Sequence, residues 1–194
     1  MLFRSAVPNQ RVTIGQGDSC EGLLEISGGT ATAAQGINVA TGAGSIGTLR
    51  VCGNGQLTAS GIAANGGAAT VEFDGGTVAA PDDNAAFFSG LTNIALKAGG
   101  VALDTQGHDL GIANCTFNVA PDGKMTVSGG GTVTFTGTTL NLSEPSVGGA
   151  FVFAETDGVF DGAPAFSQKG WKLSVSDDRK TISLVRCGLI ISIH

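Results

Sequence analysis

One short phrase, repeated along the chain, restricts the possible folds more than any other feature. Between Gly47 and Ala80 a β-type pair, a glycine corner and a second apolar pair occur twice. The first copy is Leu49 and Val51, Gly53 to Gly55, Leu57 and Ala59; the second is Val71 and Phe73, Gly75 and Gly76, Val78 and Ala80. Leu24 and Ile26 lead in the same way through Gly28 and Gly29 to Ala31 and Ala33, and Ile94 and Leu96 through Gly99 and Gly100 to Val101 and Leu103. A fifth copy runs Met125 and Val127, Gly129 to Gly131, Val133 and Phe135. Taking Ile26, Val51, Phe73, Leu96 and Val127 as equivalent gives steps of 25, 22, 23 and 31 residues. A fixed phrase at such a period is the mark of a solenoid. Apolar residues alternate with small or polar ones inside each pair, as in a half-buried strand. Equivalent positions then stack into ladders, and each coil is buried only by its neighbours.

The expected architecture is all-β: a parallel β-helix, or β-solenoid, of about five coils with three strands per turn. The second strand holds Ala31, Leu57, Val78, Val101 and Val133. The third holds Ile37 and Val39, Ile62 and Ala64, Phe87, Leu110 and Ile112, Leu140 and Leu142. Two places strain the pattern. The adjacent Phe87 and Phe88 in PDDNAAFFSGLTN cannot both face inward from a regular strand, so one of them is expected to cover a neighbouring face or an interface. The 31-residue step contains an additional strand-like piece, Thr116 to Ala120, before the turn PDGK, and reads as a larger coil. After Pro145 glycine thins and the only tryptophan appears. Trp171, Leu173 and Val175, a DDRK turn, then Ile182 and Leu184 read as a hairpin, followed by a short apolar strand GLIISI. The expected division is therefore repeats over 1–145 and a C-terminal cap over 146–194. The first coil, with Val12 and Ile14, looks incomplete, as in a portion of a longer chain whose upstream coils precede it.

Composition narrows the function. The 32 glycines in 194 residues far exceed the usual share of about 7%, and they fall at corners. With 16 acidic against 10 basic residues and a net charge of −6, the chain offers no attractive field to a nucleic-acid backbone. No stretch has the roughly 20 apolar residues of a membrane-spanning helix. Cys20, Cys52, Cys115 and Cys187 show no metal-ligand spacing and read as free thiols behaving as small hydrophobes, with one bridge between neighbouring coils left open.

Candidate sites are sparse, and neither a catalytic set, a metal site nor a cofactor motif is expected. Glu25, Arg50 and Glu72 form an outward ladder of alternating charge, a solvated arrangement and not a glycosidase carboxylate pair. Asp104, His108 and Asp109 in DTQGHDLG put an imidazole beside carboxylates, which suits general-base or metal chemistry or, more simply, turn capping. Glu155, Asp157 and Asp161 are conceivable calcium ligands without an EF-hand or nonapeptide spacing. The loop Pro81 to Asn93, with Phe87, Phe88 and Asn93, is the remaining candidate for recognition.

The stretch LRVCGNGQLTASGIAANGGAATVEFDGGTVAA, with GGTVTFTG at Gly130 to Gly137, resembles the glycine-rich strand repeats of autotransporter-type passengers and related bacterial surface proteins. GWKLSVSDDRKTISLVR resembles the C-terminal tail of long repetitive exported proteins. The resemblance implies a right-handed parallel β-helix at the cell surface or outside the cell, and it brings no catalytic residue. A translocating barrel of that pattern is not expected after Pro145, where its many long amphipathic strands would not fit. A non-enzymatic stalk or adhesive segment is the expected role, with glycans or other surface proteins as partners. A carbohydrate-active or glycan-binding β-helix is the alternative.

Overall fold

The structure is a computed structural model that describes residues 11–143 and 150–187. Among these there are twenty β-strands and no helix. They wind into a parallel β-solenoid of about six turns, in which each turn contributes a strand to three sides.

One side is a seven-stranded sheet in which each strand pairs parallel with its equivalent one turn on. Its strands are β1 (Val12–Gln16), β4 (Ile37–Thr41), β6 (Ile62–Asn65), β8 (Asn84–Ser89), β11 (Leu110–Ala113), β14 (Thr132–Thr136) and β17 (Val159–Asp161). A thirteen-stranded sheet wraps the other two sides. Its first side holds β2 (Glu21–Ile26), the start of β5 (Ile46–Ala59) and of β7 (Ala68–Ala79), then β9 (Ile94–Leu96), β12 (Thr116–Val119), β15 (Thr139–Leu142) and β18 (Ala165–Phe166). Its second side holds β3 (Thr30–Ala33), the ends of β5 and β7, then β10 (Val101–Asp104), β13 (Met125–Ser128) and β16 (Ala150–Thr156).

The strands β5 and β7 turn the corner between these sides without breaking, at the glycines the repeat predicts. Their register shifts between Gly53 and Gln56, and a Cβ on Gly55 would overlap the Ile26 carbonyl oxygen of the coil before. Only a glycine lets two successive corners approach so closely.

The ladders expected inside the coil are there, with one correction of frame. On the first side Ile26, Val51, Phe73, Leu96, Val119 and Leu142 are in register. On the second, Ala31, Leu57, Val78, Leu103 and Val127 are. Val127 therefore pairs with Leu103 and not with Leu96, Val133 pairs with Leu110, and Leu140 and Leu142 lie on the first side. The piece Thr116 to Ala120, expected as an addition to one large coil, is the first-side strand of the next coil. The steps from Leu96 to Val119 and from Val119 to Leu142 are equal, so no coil here is enlarged. The longer interval to Val127 compared two different sides. Glycine pairs stand at more than one corner of the same coil, so the phrase alone cannot tell the corners apart.

The adjacent phenylalanines also differ from expectation. Phe87 is 0% and Phe88 2% exposed, so neither covers an outer face. Asn84 pairs with Leu110 and Phe88 with Ile112; β8 therefore carries two more residues over this interval than its partner. That bulge re-aims Phe87 inward. The two rings meet edge to face with centroids 5.0 Å apart, and Phe88 meets Phe73 at 6.0 Å.

The parallel winding runs past Pro145, where the repeat was expected to end. The strands β16, β17 and β18 each stack on the coil before. Only the hairpin of β19 (Trp171–Val175) and β20 (Thr181–Arg186) departs from it, with β20 antiparallel to β16. Trp171, Ile182 and Leu184 are buried in the same apolar core as the coils, so the hairpin closes one end of the interior as expected. The GLIISI strand lies outside the described residues. Burying a large apolar side chain contributes about 1.5–3 kcal/mol, and ordering a residue costs about as much. A single coil therefore has no margin of its own, and stability comes from stacking.

Candidate functional site

The recognition loop expected between Pro81 and Asn93 turns its large apolar side chains to the interior and its small and acidic ones to solvent. Besides the two buried rings, Leu91 is 0% exposed, and Asn93 belongs to a hydrogen-bonded row along the first side. Asn93 Nδ2 donates to Thr70 Oγ1 at 3.1 Å, Asn118 Nδ2 to Asn93 Oδ1 at 2.9 Å, and Asn141 Nδ2 to Asn118 Oδ1 at 3.2 Å. The loop presents Asp82, Asp83, Ala85, Ala86, Gly90 and Thr92 to solvent, without an exposed aromatic ring among them. The asparagines recur at nearly equal spacing in the sequence, but they form a row only once the coil frame is right.

The polar turn is rearranged in a comparable way. Asp104 does not join His108; its Oδ1 accepts the Gln106 N–H at 3.0 Å and shapes its own turn. The acid beside His108 is Asp83 of the preceding coil, with Nδ1 and Oδ1 3.1 Å apart. The same oxygen accepts the Asp109 N–H at 2.9 Å, and Asp109 Oδ1 accepts the Thr132 N–H of the following coil at 2.8 Å. The Asp109 N–H, and then His108, hold the Asp83 carboxyl below the usual carboxylate range. With side-chain exposures of 34% for His108 and 76% for Asp83, the pair faces open solvent. Together these residues bind three successive coils at one corner. Asp83 was hidden in the PDDN turn because nothing local links it to a histidine of the next coil.

Other outward charges are likewise shared between coils. Arg50 donates to Glu72 at 2.7 Å and to Glu25 at 2.9 Å, the alternating ladder expected, and Glu72 and then Glu25 raise the Arg50 pKa further. The conceivable calcium carboxylates are held apart. Glu155 pairs with Lys124 at 2.7 Å, Asp161 lies 3.8 Å from Arg179, and Asp157 accepts the Gly130 and Gly129 N–H groups at 2.9 and 3.0 Å. Those two N–H groups, Gly130 first, keep Asp157 below its ordinary pKa. Among the described residues no three of His, Cys, Asp and Glu converge as a metal ion would require.

A shallow groove of about 160 Å³ crosses the first coils beside Arg11, Asn38, Ser60 and Asn84, smaller than the roughly 300–1,000 Å³ of ordinary ligand pockets. Its polar groups are already committed in part: Arg11 Nε donates to the Gln35 carbonyl at 3.0 Å and Asn84 Nδ2 to the Ser60 carbonyl at 2.6 Å. The four thiols are free; Cys20 and Cys187 are exposed, Cys52 is half-buried and Cys115 is buried. Burial pushes the Cys115 thiol up to about 11, which keeps it protonated and unreactive at neutral pH.

These side chains form rows that tie coil to coil, and the fold they define is an all-β parallel solenoid. No helix among the described residues is long and apolar enough to cross a membrane. No protein-family model, curated protein or solved structure matches this chain.

Proposed function

We propose that the chain is a non-enzymatic structural segment of an exported bacterial surface protein, acting as a stiff stalk. The observation that carries this reading is the use made of outward polar side chains. Glu25–Arg50–Glu72, Thr70–Asn93–Asn118–Asn141 and Asp83–His108–Asp109–Thr132 each run along the axis and link successive coils. Groups spent on holding neighbours in register are not converged on a substrate. With strands about 4.8 Å apart, six turns make a rod about 29 Å long. Surface location rests on the resemblance of the repeats and tail to exported repetitive proteins. Two measurements test the proposal. Immunogold labelling of intact cells should place the chain outside; label confined to the cytosol would overturn the location. Incubation with a broad polysaccharide panel should release no new reducing ends or unsaturated products; turnover abolished by replacing Asp83 or His108 would overturn the structural reading in favour of a carbohydrate-active one.

A further inference from the structure

Two Asn-Gly pairs occur in the chain, Asn54–Gly55 and Asn65–Gly66, and the fold treats them differently. In such a pair the backbone nitrogen after the asparagine can attack the asparagine's own side-chain amide, because glycine puts no side chain in the way. The reaction needs an accessible amide, an unengaged N–H and a peptide with room to turn. Asn65 ends β6 and is exposed, as is Gly66 at the corner beyond it. The Asn65 amide has no hydrogen-bond partner among the described residues, whereas those of Asn84, Asn93, Asn118 and Asn141 are all held. It is the next residue, Gly67, that ties this corner to the coil before, its N–H donating to the Ala40 carbonyl at 3.0 Å. The Gly66 N–H is left without a partner among the described residues. Gly66 has φ +102°, and a Cβ added there would meet no atom closer than 3.7 Å, so the peptide can turn. Asn54 is exposed too, but Gly55 is buried against the Ile26 carbonyl oxygen. Just beyond it the Gln56 N–H donates to the Gly29 carbonyl at 2.9 Å. Both contacts are with the preceding coil, and they hold the Asn54–Gly55 peptide still.

We infer that Asn65 is a site of spontaneous covalent modification, converting through a succinimide to isoaspartate and aspartate, while the fold protects Asn54. The Gly66 nitrogen forms a bond to Asn65 Cγ, and its proton passes through water to the leaving amide nitrogen. The Cγ–Nδ2 bond breaks and ammonia departs. Water then opens the ring: addition at Cγ gives aspartate, and addition at the Asn65 main-chain carbonyl carbon gives isoaspartate. Either product puts a carboxylate where the chain had a neutral amide, and isoaspartate lengthens the main chain by one carbon at this corner. This inference goes beyond the stalk reading and does not rest on it, since the chemistry needs only the folded coil and water.

Incubation of the folded 194-residue chain at mildly alkaline pH provides the test, followed by peptide mapping with fragmentation that separates isoaspartate from aspartate. Asn65 should lose its amide at least about tenfold faster than Asn54, because Asn54 reacts only in the small fraction that has opened locally. In urea the two rates should converge, since the unfolded chain gives both pairs the same freedom. Asn65→Gln should remove most of the label that an isoaspartyl methyltransferase adds to the incubated protein, and Asn54→Gln should leave it unchanged. Circular dichroism of both variants should match the parent, because both side chains are exposed. Equal rates at the two pairs in the folded chain, faster loss at Asn54, or an Asn65 amide that survives in the folded chain while it is lost in urea would overturn the proposal.

Discussion

At Gly111 the chain has no room for a side chain, because the bulge in β8 presses the Ala85 carbonyl oxygen against it. Gly111→Ala should cost about 3 kcal/mol in urea unfolding, whereas Gly28→Ala, which meets nothing within 4 Å and has an ordinary backbone angle, should be near neutral. The thiols separate as clearly. Cys20 and Cys187 should react promptly with a chromogenic disulfide at neutral pH, and Cys115 only after unfolding, because the interior disfavours its thiolate. Asp157 gives a pH test. The Gly130 and Gly129 N–H groups depress its folded pKa below the ordinary 3.8, so its contribution is complete above that value and is lost as pH falls through the folded one. Melting temperature should therefore drop on acidification, and Asp157→Asn should flatten part of that drop.

The element that departs most from the repeat is β8. Its two-residue excess turns Phe87 into the core beside Phe88, where a regular strand would alternate them. Deleting Ala85 and Ala86 should restore simple pairing with β11 and force Phe87 outward, losing about 2 kcal/mol and increasing dye binding to exposed apolar surface. The hairpin is the other departure. Leu184 is fully buried in β20, so Leu184→Asp would place an unpaired carboxylate inside and undock the hairpin. The freed β16 edge should then raise light scattering in proportion to protein concentration.

Across the whole molecule, one apolar core runs from Ile14 to Leu184, and no coil holds a core of its own. Stability in such an array is a sum over coils and their interfaces. The polar rows add register to that sum, because a coil that slipped by one residue would turn its interior outward and break every row it belongs to. This is the physical content of the stalk proposal, and it explains why the outward side chains are matched along the axis and not gathered at one point.

Much of this was legible in the chain itself. Alternation with a recurring glycine corner leaves a solenoid as the way to bury the apolar half of each strand, and the charged ladder at Glu25, Arg50 and Glu72 follows from the spacing. The frame after Leu96, the inward turn of Phe87, and the pairing of His108 with Asp83 were decided only by the tertiary structure. Each depends on which residue of the neighbouring coil lies alongside. That neighbour is a full coil away along the chain, and the local pattern reads equally well at either of two corners.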